Sequence, residues 1–289
     1  MGSSQLSATH TTSPSLNSIV LGSAEDYSDL SSLESLDHQV KYFLSELTTG
    51  TFDSISDQII ERANKRDGKM LGRVVQLIFE RAVDDMTSFE MYAQLFSRMM
   101  DRMSEEIEDH EDRDGEGKPI LDGQLFRTFL LHSCQDLFER IWMRKEVTAV
   151  AVALKNTDSK VIGTSTTKNK IGKVRKYSKE HCATQKANQQ KLGFIKITSE
   201  LFRLQMLPEH IMHEQLKKLL GNVNPEEEDI ESLCIIFTRA GSILDTPKAH
   251  ARMDVYFRRI RELAKNPNVN SRMRSMLQVR QLFFNIGLG

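Results

Sequence analysis

Apolar residues recur at a helical period along most of the chain, and this pattern restricts the fold more than any other feature of the sequence. From Asp37 onward, Val40, Phe43, Leu44 and Leu47 occupy positions i, i+3, i+4 and i+7, which form one apolar stripe along an α-helix. Similar stripes follow, whereas no window of the folded region combines β-branched residues, period-two alternation and a hairpin turn. The sequence therefore predicts an all-α protein.

Prolines and glycines indicate where the later helices begin and end. Pro208, Pro225 and Pro247 stand where a first-turn proline loses no helical hydrogen bond, and Gly221 and Gly241 are typical stop signals. About ten helices, in antiparallel pairs whose starts recur every ~40 residues, match the period of HEAT/armadillo-type repeats. We expect a helical-repeat solenoid of about five antiparallel helix pairs. A compact bundle of the same helices is the alternative that the pattern leaves open.

The periodic pattern also divides the chain. Residues 1–36 are rich in Ser and Thr and follow neither the helical nor the strand period, so we expect a disordered linker there. Residues 37–278 form the expected folded domain, with flexible loops at about 104–122 and 147–176. Residues 279–289 do not continue the amphipathic pattern, and we interpret them as a diverged tail.

The cysteines and the hydropathy of the sequence indicate in which cellular compartment the protein is expected. Cys134, Cys182 and Cys234 are an odd number of widely spaced cysteines, which fits neither a disulfide framework nor a CxxC metal site. No apolar stretch approaches the ~20 residues that a membrane span needs. We therefore expect a soluble, cytoplasmic protein without a membrane partner.

Three groups of residues are candidates for chemistry, and each has a plainer explanation. His210, His213 and Glu214 form an HxxHE string, but zinc proteases need HExxH, so partly exposed helix residues are favoured. Cys182 has a histidine as its immediate neighbour, and adjacent helix residues point in different directions. The segment Gly163–Lys173 lacks the GxxxxGK[ST] order of a phosphate loop. We expect no catalytic residue, metal, cofactor or small-molecule substrate.

Charge is segregated although the chain is nearly neutral, with a formal net charge of -1. Lys155–Lys196 holds eleven Lys or Arg against two acidic residues, and Arg252–Arg280 holds eight against two. Basic clusters of this size are typical of contact with a phosphate backbone. A solvated, disordered lysine-rich loop is an equal alternative for the first cluster, and any RNA binding there should tolerate many sequences. The RNA-binding candidates are Lys168, Lys170, Lys173, Arg175, Lys176 and Lys179.

Several strings of the sequence resemble the middle domain of eukaryotic translation initiation factor 4 gamma, in its fungal form. They occur in the order of that family and cover about residues 37 to 278. In chain order they are FDSISDQIIERANK, EMYAQLF, GKPILDGQLFRTFLLHSCQDLFER, KLGFIK, ELFRLQMLPEHIMHEQLKKLLGNV, NPEEEDIESLC, LDTPKAHARMDVYF and NSRMRSMLQ.

This resemblance implies a crescent of five HEAT repeats that is not itself an enzyme. It also implies a scaffold for translation initiation that grips both lobes of the DEAD-box RNA helicase initiation factor 4A, stimulates it, and contacts mRNA. The alternative from a different functional class is a sequence-tolerant RNA-binding helical-repeat module, acting in mRNA export or decay without stimulating a helicase.

The helicase contact implied by the resemblance falls on the late repeats, with a second surface on the first repeats. This chain departs from the family pattern at two points: Ser275 stands where an aromatic residue is usual, and Ser199 stands where Phe-Ile-Gly-Glu has glycine. The partner-binding candidates are Arg258, Arg261, Arg272, Met273, Arg274 and Ser275.

Overall fold

Helices make up nearly all of the computed structural model, which describes residues 24–64, 68–102, 108–113, 119–158, 170–222 and 225–278. Residues 271–278 form the last described helix, α10. The preceding helices are α1 Ala24–Glu46, α2 Phe52–Ala63, α3 Gly68–Asp84, α4 Phe89–Arg102, α5 Asp122–Asp158, α6 Lys170–Arg203, α7 Glu209–Leu220, α8 Glu227–Leu244 and α9 His250–Lys265. The predicted all-α class is confirmed.

The helices lie in two layers. In the odd-numbered layer α1 packs on α3, α3 on α5, and α7 on α9; in the even-numbered layer α2 packs on α4, α4 on α6, and α6 on α8. Consecutive helices such as α1 and α2, or α7 and α8, join the layers. Side-by-side packing of alternate helices is the arrangement of a helical-repeat solenoid rather than a closed bundle.

The structure places helices or strands in three segments where the sequence predicts a linker or a loop. Helix α1 begins at Ala24 rather than near Asp37, so the expected linker is helical over residues 24–36. Residues 1–23 and 279–289 lie outside the described residues. In the expected loop at 104–122, Glu108–Arg113 (β1) and Pro119–Leu121 (β2) pair as antiparallel strands. The expected loop at 147–176 is helical up to residue 158 and again from residue 170.

The helix ends differ from the proline and glycine signals by a few residues. Pro208 is the N-cap of α7 rather than its first helical residue, and Gly221 is the C-cap. Helix α8 begins after Glu226, which forms a capping box with Asp229. Gly241 does not stop α8, because it is a buried residue inside the helix. Differences of one or two residues at helix ends are usual, because the ends fray.

Helix α6 is held to its neighbours by a buried ion pair and by a very close backbone approach. The Lys191 ammonium pairs with the carboxylate of Asp229 on α8, and the two side chains are 4% and 0% exposed. Asp229 also accepts hydrogen bonds from Asn222 Nδ2 at 2.8 Å and from the Glu226 backbone N–H at 3.1 Å. Gly193 faces the last turn of α3, with no space for a side chain. These contacts fix the position of α6 against α8 in its own layer and against α3 in the other layer.

The hydroxyl of Ser199 on α6 is buried, and within the described residues it has no hydrogen-bond partner. A buried polar group without a partner destabilises the folded state, because it loses its hydrogen bond to water. We therefore expect Ser199→Ala to raise the free energy of unfolding by about 1 kcal/mol. Urea denaturation at constant m-value measures this change.

Ser232 on α8 is the matched control for this prediction. It is equally buried, but its hydroxyl donates a hydrogen bond to the Glu228 carbonyl at 2.6 Å. Ser232→Ala should therefore not stabilise the protein. Equal effects of the two substitutions would contradict the assignment of an unpaired hydroxyl at Ser199.

Candidate partner-binding surface

Helix α9 separates an apolar face from a basic face. Met253, Tyr256 and Ile260 recur at helical spacing and are buried in the core. Arg258 and Arg261 are exposed on the opposite side. Since residues three apart in a helix are neighbours on its surface, these two guanidinium groups form one patch, which we call the α9 arginine pair.

The two guanidinium groups of the α9 arginine pair form no ion pair in the part of the chain that the structure describes. The neighbouring Arg259 differs, because it forms an ion pair with Glu262 at 3.0 Å and donates to the carbonyls of Leu220 and Asn222, each at 3.2 Å. Arg259 therefore ties α9 to the end of α7. Arg258 and Arg261 make no such structural contacts, which leaves them available to a partner.

The α10 candidates have unequal roles. Asn270 caps this helix, since its Oδ1 accepts the Met273 backbone N–H at 2.8 Å. Met273 is only 5% exposed and packs in the core with Leu277, so its assignment to partner binding is wrong: it is a packing residue. Ser275 is exposed, and its hydroxyl donates to the Ser271 carbonyl at 3.0 Å.

Arg272 and Arg274 do not form a cluster. They are two residues apart, and helix positions at that spacing project from different sides. Arg272 is largely exposed and pairs with Glu227 at the start of α8, whereas Arg274 is half-buried. Of the six candidates, helical spacing brings together Arg258 with Arg261 on α9, and Arg272 with Ser275 on α10.

Polar groups link this region to α7. His213 is buried, not partly exposed as expected, and its Nε2 lies 2.7 Å from Glu209 Oε1. The other ring nitrogen, Nδ1, lies 3.2 Å from the hydroxyl of Tyr256 on α9, and burial raises the pKa of that hydroxyl. At the start of α9, a hydrogen bond to Asp245 raises the pKa of the exposed His250. His213 and His250 therefore have structural partners.

The RNA-binding candidates lie at the start of α6. Lys168 is outside the described residues, whereas the other five positions are within the helix that begins at Lys170. The sequence predicts a loop there because lysine-rich composition carries little helical periodicity. These five positions now share one helix, although their side chains are outside the described part of the structure.

Two further searches concern chemistry and membranes. Among the described residues, no group of three or more His, Cys, Asp or Glu is arranged to hold a metal ion. Within the same residues, no helix is long and apolar enough to span a membrane.

Comparison with known proteins gives a family and several relatives. The family described as the MIF4G domain matches residues 37–285. The chain is 39% identical over 259 residues to "Eukaryotic translation initiation factor 4 gamma" of Schizosaccharomyces pombe, covering 88% of this chain and 17% of that protein. It is 33% identical to "Eukaryotic translation initiation factor 4G" of Triticum aestivum, covering 83% of this chain and 14% of that protein. For "Eukaryotic translation initiation factor 4 gamma 1" of Mus musculus, the identity is 32%, with 88% of this chain and 14% of that protein covered.

The chain thus spans less than a fifth of the length of these relatives. Among solved structures, the MIF4G domain of Trypanosoma cruzi translation initiation factor EIF4G5 has a TM-score of 0.49 and 14% sequence identity, covering 87% of this chain and 96% of that chain. The resemblance to the middle domain of initiation factor 4 gamma is confirmed by the sequence matches. Since the family match includes most of the chain, this protein belongs to the family of MIF4G domains.

Proposed function

We propose that this protein is a non-enzymatic, cytoplasmic scaffold of translation initiation that binds and stimulates the DEAD-box RNA helicase initiation factor 4A. Family membership supports the general role, because the relatives are named as translation initiation factors. The observation that carries the helicase contact is the α9 arginine pair, which is exposed and forms no ion pair among the described residues. An acidic patch on the helicase would complement it.

The scaffold needs no catalytic group of its own for this function. A surface that binds the active arrangement of the helicase lobes more tightly than the open arrangement shifts the population toward the active one. Two separated contacts, one on the late repeats and one on the first repeats, would each hold one lobe of the helicase. Binding would then depend on how the two lobes are oriented. The basic start of α6 supplies a third contact, to mRNA, through its five Lys and Arg positions.

Charge reversal at the α9 arginine pair tests this assignment. We expect Arg258→Glu with Arg261→Glu to weaken helicase binding by about tenfold or more, because two attractive contacts become repulsive. Arg127→Glu is the control, since Arg127 is also exposed but lies on α5. Binding is measured by titration, and the helicase ATPase rate with RNA is measured in parallel. An unchanged dissociation constant would remove the helicase contact from α9.

Ser275 allows a complementary test by gain of affinity. Its side chain is exposed, so Ser275→Phe introduces the aromatic residue usual in the family without changing the core. Tighter helicase binding by this variant would support a contact on α10. An unchanged affinity would show that the exposed face of α10 does not contact the helicase.

The alternative function, an RNA-binding module in mRNA export or decay, rests on the basic positions at the start of α6. It predicts salt-sensitive binding to single-stranded RNA, lost on replacing Lys173, Arg175, Lys176 and Lys179 by glutamine. If these replacements abolish RNA binding and no helicase binding is detected with the unaltered protein, the alternative replaces the scaffold proposal.

A further inference from the structure

The odd-numbered layer of helices is interrupted between α5 and α7. Helix α5 packs on α3, α4 and α6, whereas α7 packs on α6, α8 and α9. An open groove with a volume of about 500 Å³ lies between them, within the range of about 300–1,000 Å³ that is usual for binding sites. We call it the α5–α7 groove.

Aromatic side chains form the floor of the α5–α7 groove. The rings of Phe138 and Trp142 have centroids 4.3 Å apart, and the Trp142 ring meets Phe194 of α6 edge to face at 6.2 Å. The Lys191 ammonium lies 5.6 Å from the Trp142 ring centroid, which fixes the indole further. Met143 lines the groove on α5 and is 63% exposed. An apolar ligand would bury this surface.

The groove carries a carboxylate on each of its two walls. Glu139 is on α5 and Glu214 is on α7, and both are exposed. Within the described residues, neither carboxylate has an ion-pair partner. Lys218 on α7 is the cation that also lines the groove, so the charged groups lining it sum to one negative charge. Burial, assisted by the negative charge of Glu214, raises the pKa of the Cys134 thiol at the floor.

We propose that the α5–α7 groove binds a basic amphipathic helix of a partner protein. Its apolar side chains would pack on Trp142 and Met143, and its Lys or Arg side chains would pair with Glu139 and Glu214. A groove between two helices is a recurrent site for such a segment, which would occupy the interrupted position in the odd-numbered layer. Carboxylates on both walls disfavour RNA, because they repel its phosphates.

This proposal does not rest on helicase binding, since the groove and the α9 arginine pair are on different helices. The probe is a synthetic amphipathic peptide of about 16 residues with leucines at i, i+3, i+4 and i+7 and lysines on its other face. Two comparison ligands are the same peptide with glutamate in place of lysine, and an oligouridylate. A second lysine peptide has phenylalanine in place of leucine at the apolar positions, so that the test does not depend on the fit of one side-chain type to the groove.

Trp142 reports binding directly, because it is the one tryptophan in the chain and lies at the floor of the groove. We expect a saturable change in tryptophan emission with a lysine peptide, and none with the glutamate peptide or the oligouridylate. Peptide bound elsewhere, for instance to exposed acidic residues of other helices, would leave the emission of Trp142 unchanged.

Variants of the full chain test the charge and the apolar contact separately. Glu139→Gln with Glu214→Gln should weaken lysine-peptide binding about three- to tenfold, and the double change to lysine should weaken it more. Met143→Ser should also weaken binding without unfolding the protein, because its side chain is exposed. Glu61→Gln is the control, since Glu61 is an exposed residue of α2, which packs on α1, α3 and α4.

Three results would overturn the proposal. The first is an unchanged Trp142 emission with both lysine peptides. The second is peptide binding that the double lysine variant does not weaken. The third is a saturable emission change with oligouridylate that exceeds the change with peptide, which would assign the groove to RNA.

Discussion

Replacing Gly193 by alanine is expected to lower the free energy of unfolding by about 3 kcal/mol or more, the upper end of the range for overpacking a core. A Cβ atom at this position would lie 2.0 Å from the carbonyl oxygen of Val83 and 2.9 Å from its carbonyl carbon. The obstacle is the backbone of α3, which cannot rotate away as a side chain could. Relief of the clash requires α3 and α6 to move apart.

Thermal unfolding followed by circular dichroism measures this effect, and we expect the melting temperature to fall by roughly 5–10 °C. Two other glycines provide a graded control. Gly50→Ala should be nearly neutral, because no atom lies within 4 Å of the added Cβ. Gly72→Ala should have an intermediate effect, since its Cβ would meet the Phe129 ring at 3.1 Å, and a ring can adjust. A neutral Gly193→Ala would show that α3 and α6 are farther apart than described.

The second large effect is expected at the ion pair between α6 and α8. Asp229→Asn keeps the size of the side chain but leaves the Lys191 ammonium buried without its counter-charge. Breaking one partner of a buried pair destabilises proteins by about 3–5 kcal/mol. We expect a value near the lower end, because asparagine retains an oxygen that can accept hydrogen bonds. Urea denaturation at neutral pH measures it.

Glu227→Gln is the matched control for Asp229→Asn. Both residues are in the first turn of α8, but Glu227 pairs with Arg272 at the surface, where the side chains are 38% and 74% exposed. Removal of a surface pair should change stability by less than about 1 kcal/mol. Adding Lys191→Met to Asp229→Asn should recover much of the loss, since the isolated charge is then absent. Equal effects of Asp229→Asn and Glu227→Gln would contradict a buried pair.

The helical period of apolar residues predicted the architecture, because residues at that spacing lie on one face of a helix and are buried together when the helix packs. Val40, Phe43, Leu44 and Leu47 form a stripe in the sequence and are buried together in the structure. The period failed where no apolar stripe of helical spacing is present, as in the polar start of α1, in the small apolar run of residues 147–154 and in the lysine-rich start of α6. A helix there is determined by its neighbours or its continuation, and single-residue preferences do not reveal it.

The candidate surfaces were predicted less well than the fold. Met273 lies between two arginines in the sequence, yet the helix turns it into the core, so adjacency in sequence did not mean a shared surface. The α5–α7 groove was not predicted, because Trp142 and Glu214 meet only after α5 and α7 are placed on α6. The isolated tryptophan with a phenylalanine four residues earlier was the one signal available.

The central position of α6 also determines how far a local loss of structure spreads. Helix α6 packs on α3, α4, α5, α7 and α8, whereas among the described residues α5 and α7 do not pack extensively on each other. In a repeat protein each unit is stabilised mainly by its immediate neighbours. Opening of α9 and α10 can therefore stop at α8, leaving the amide protons of α3 and α4 protected from exchange. Unfolding of α6 instead removes the packing that joins the helices before it to the helices after it, and each of these two groups then unfolds independently.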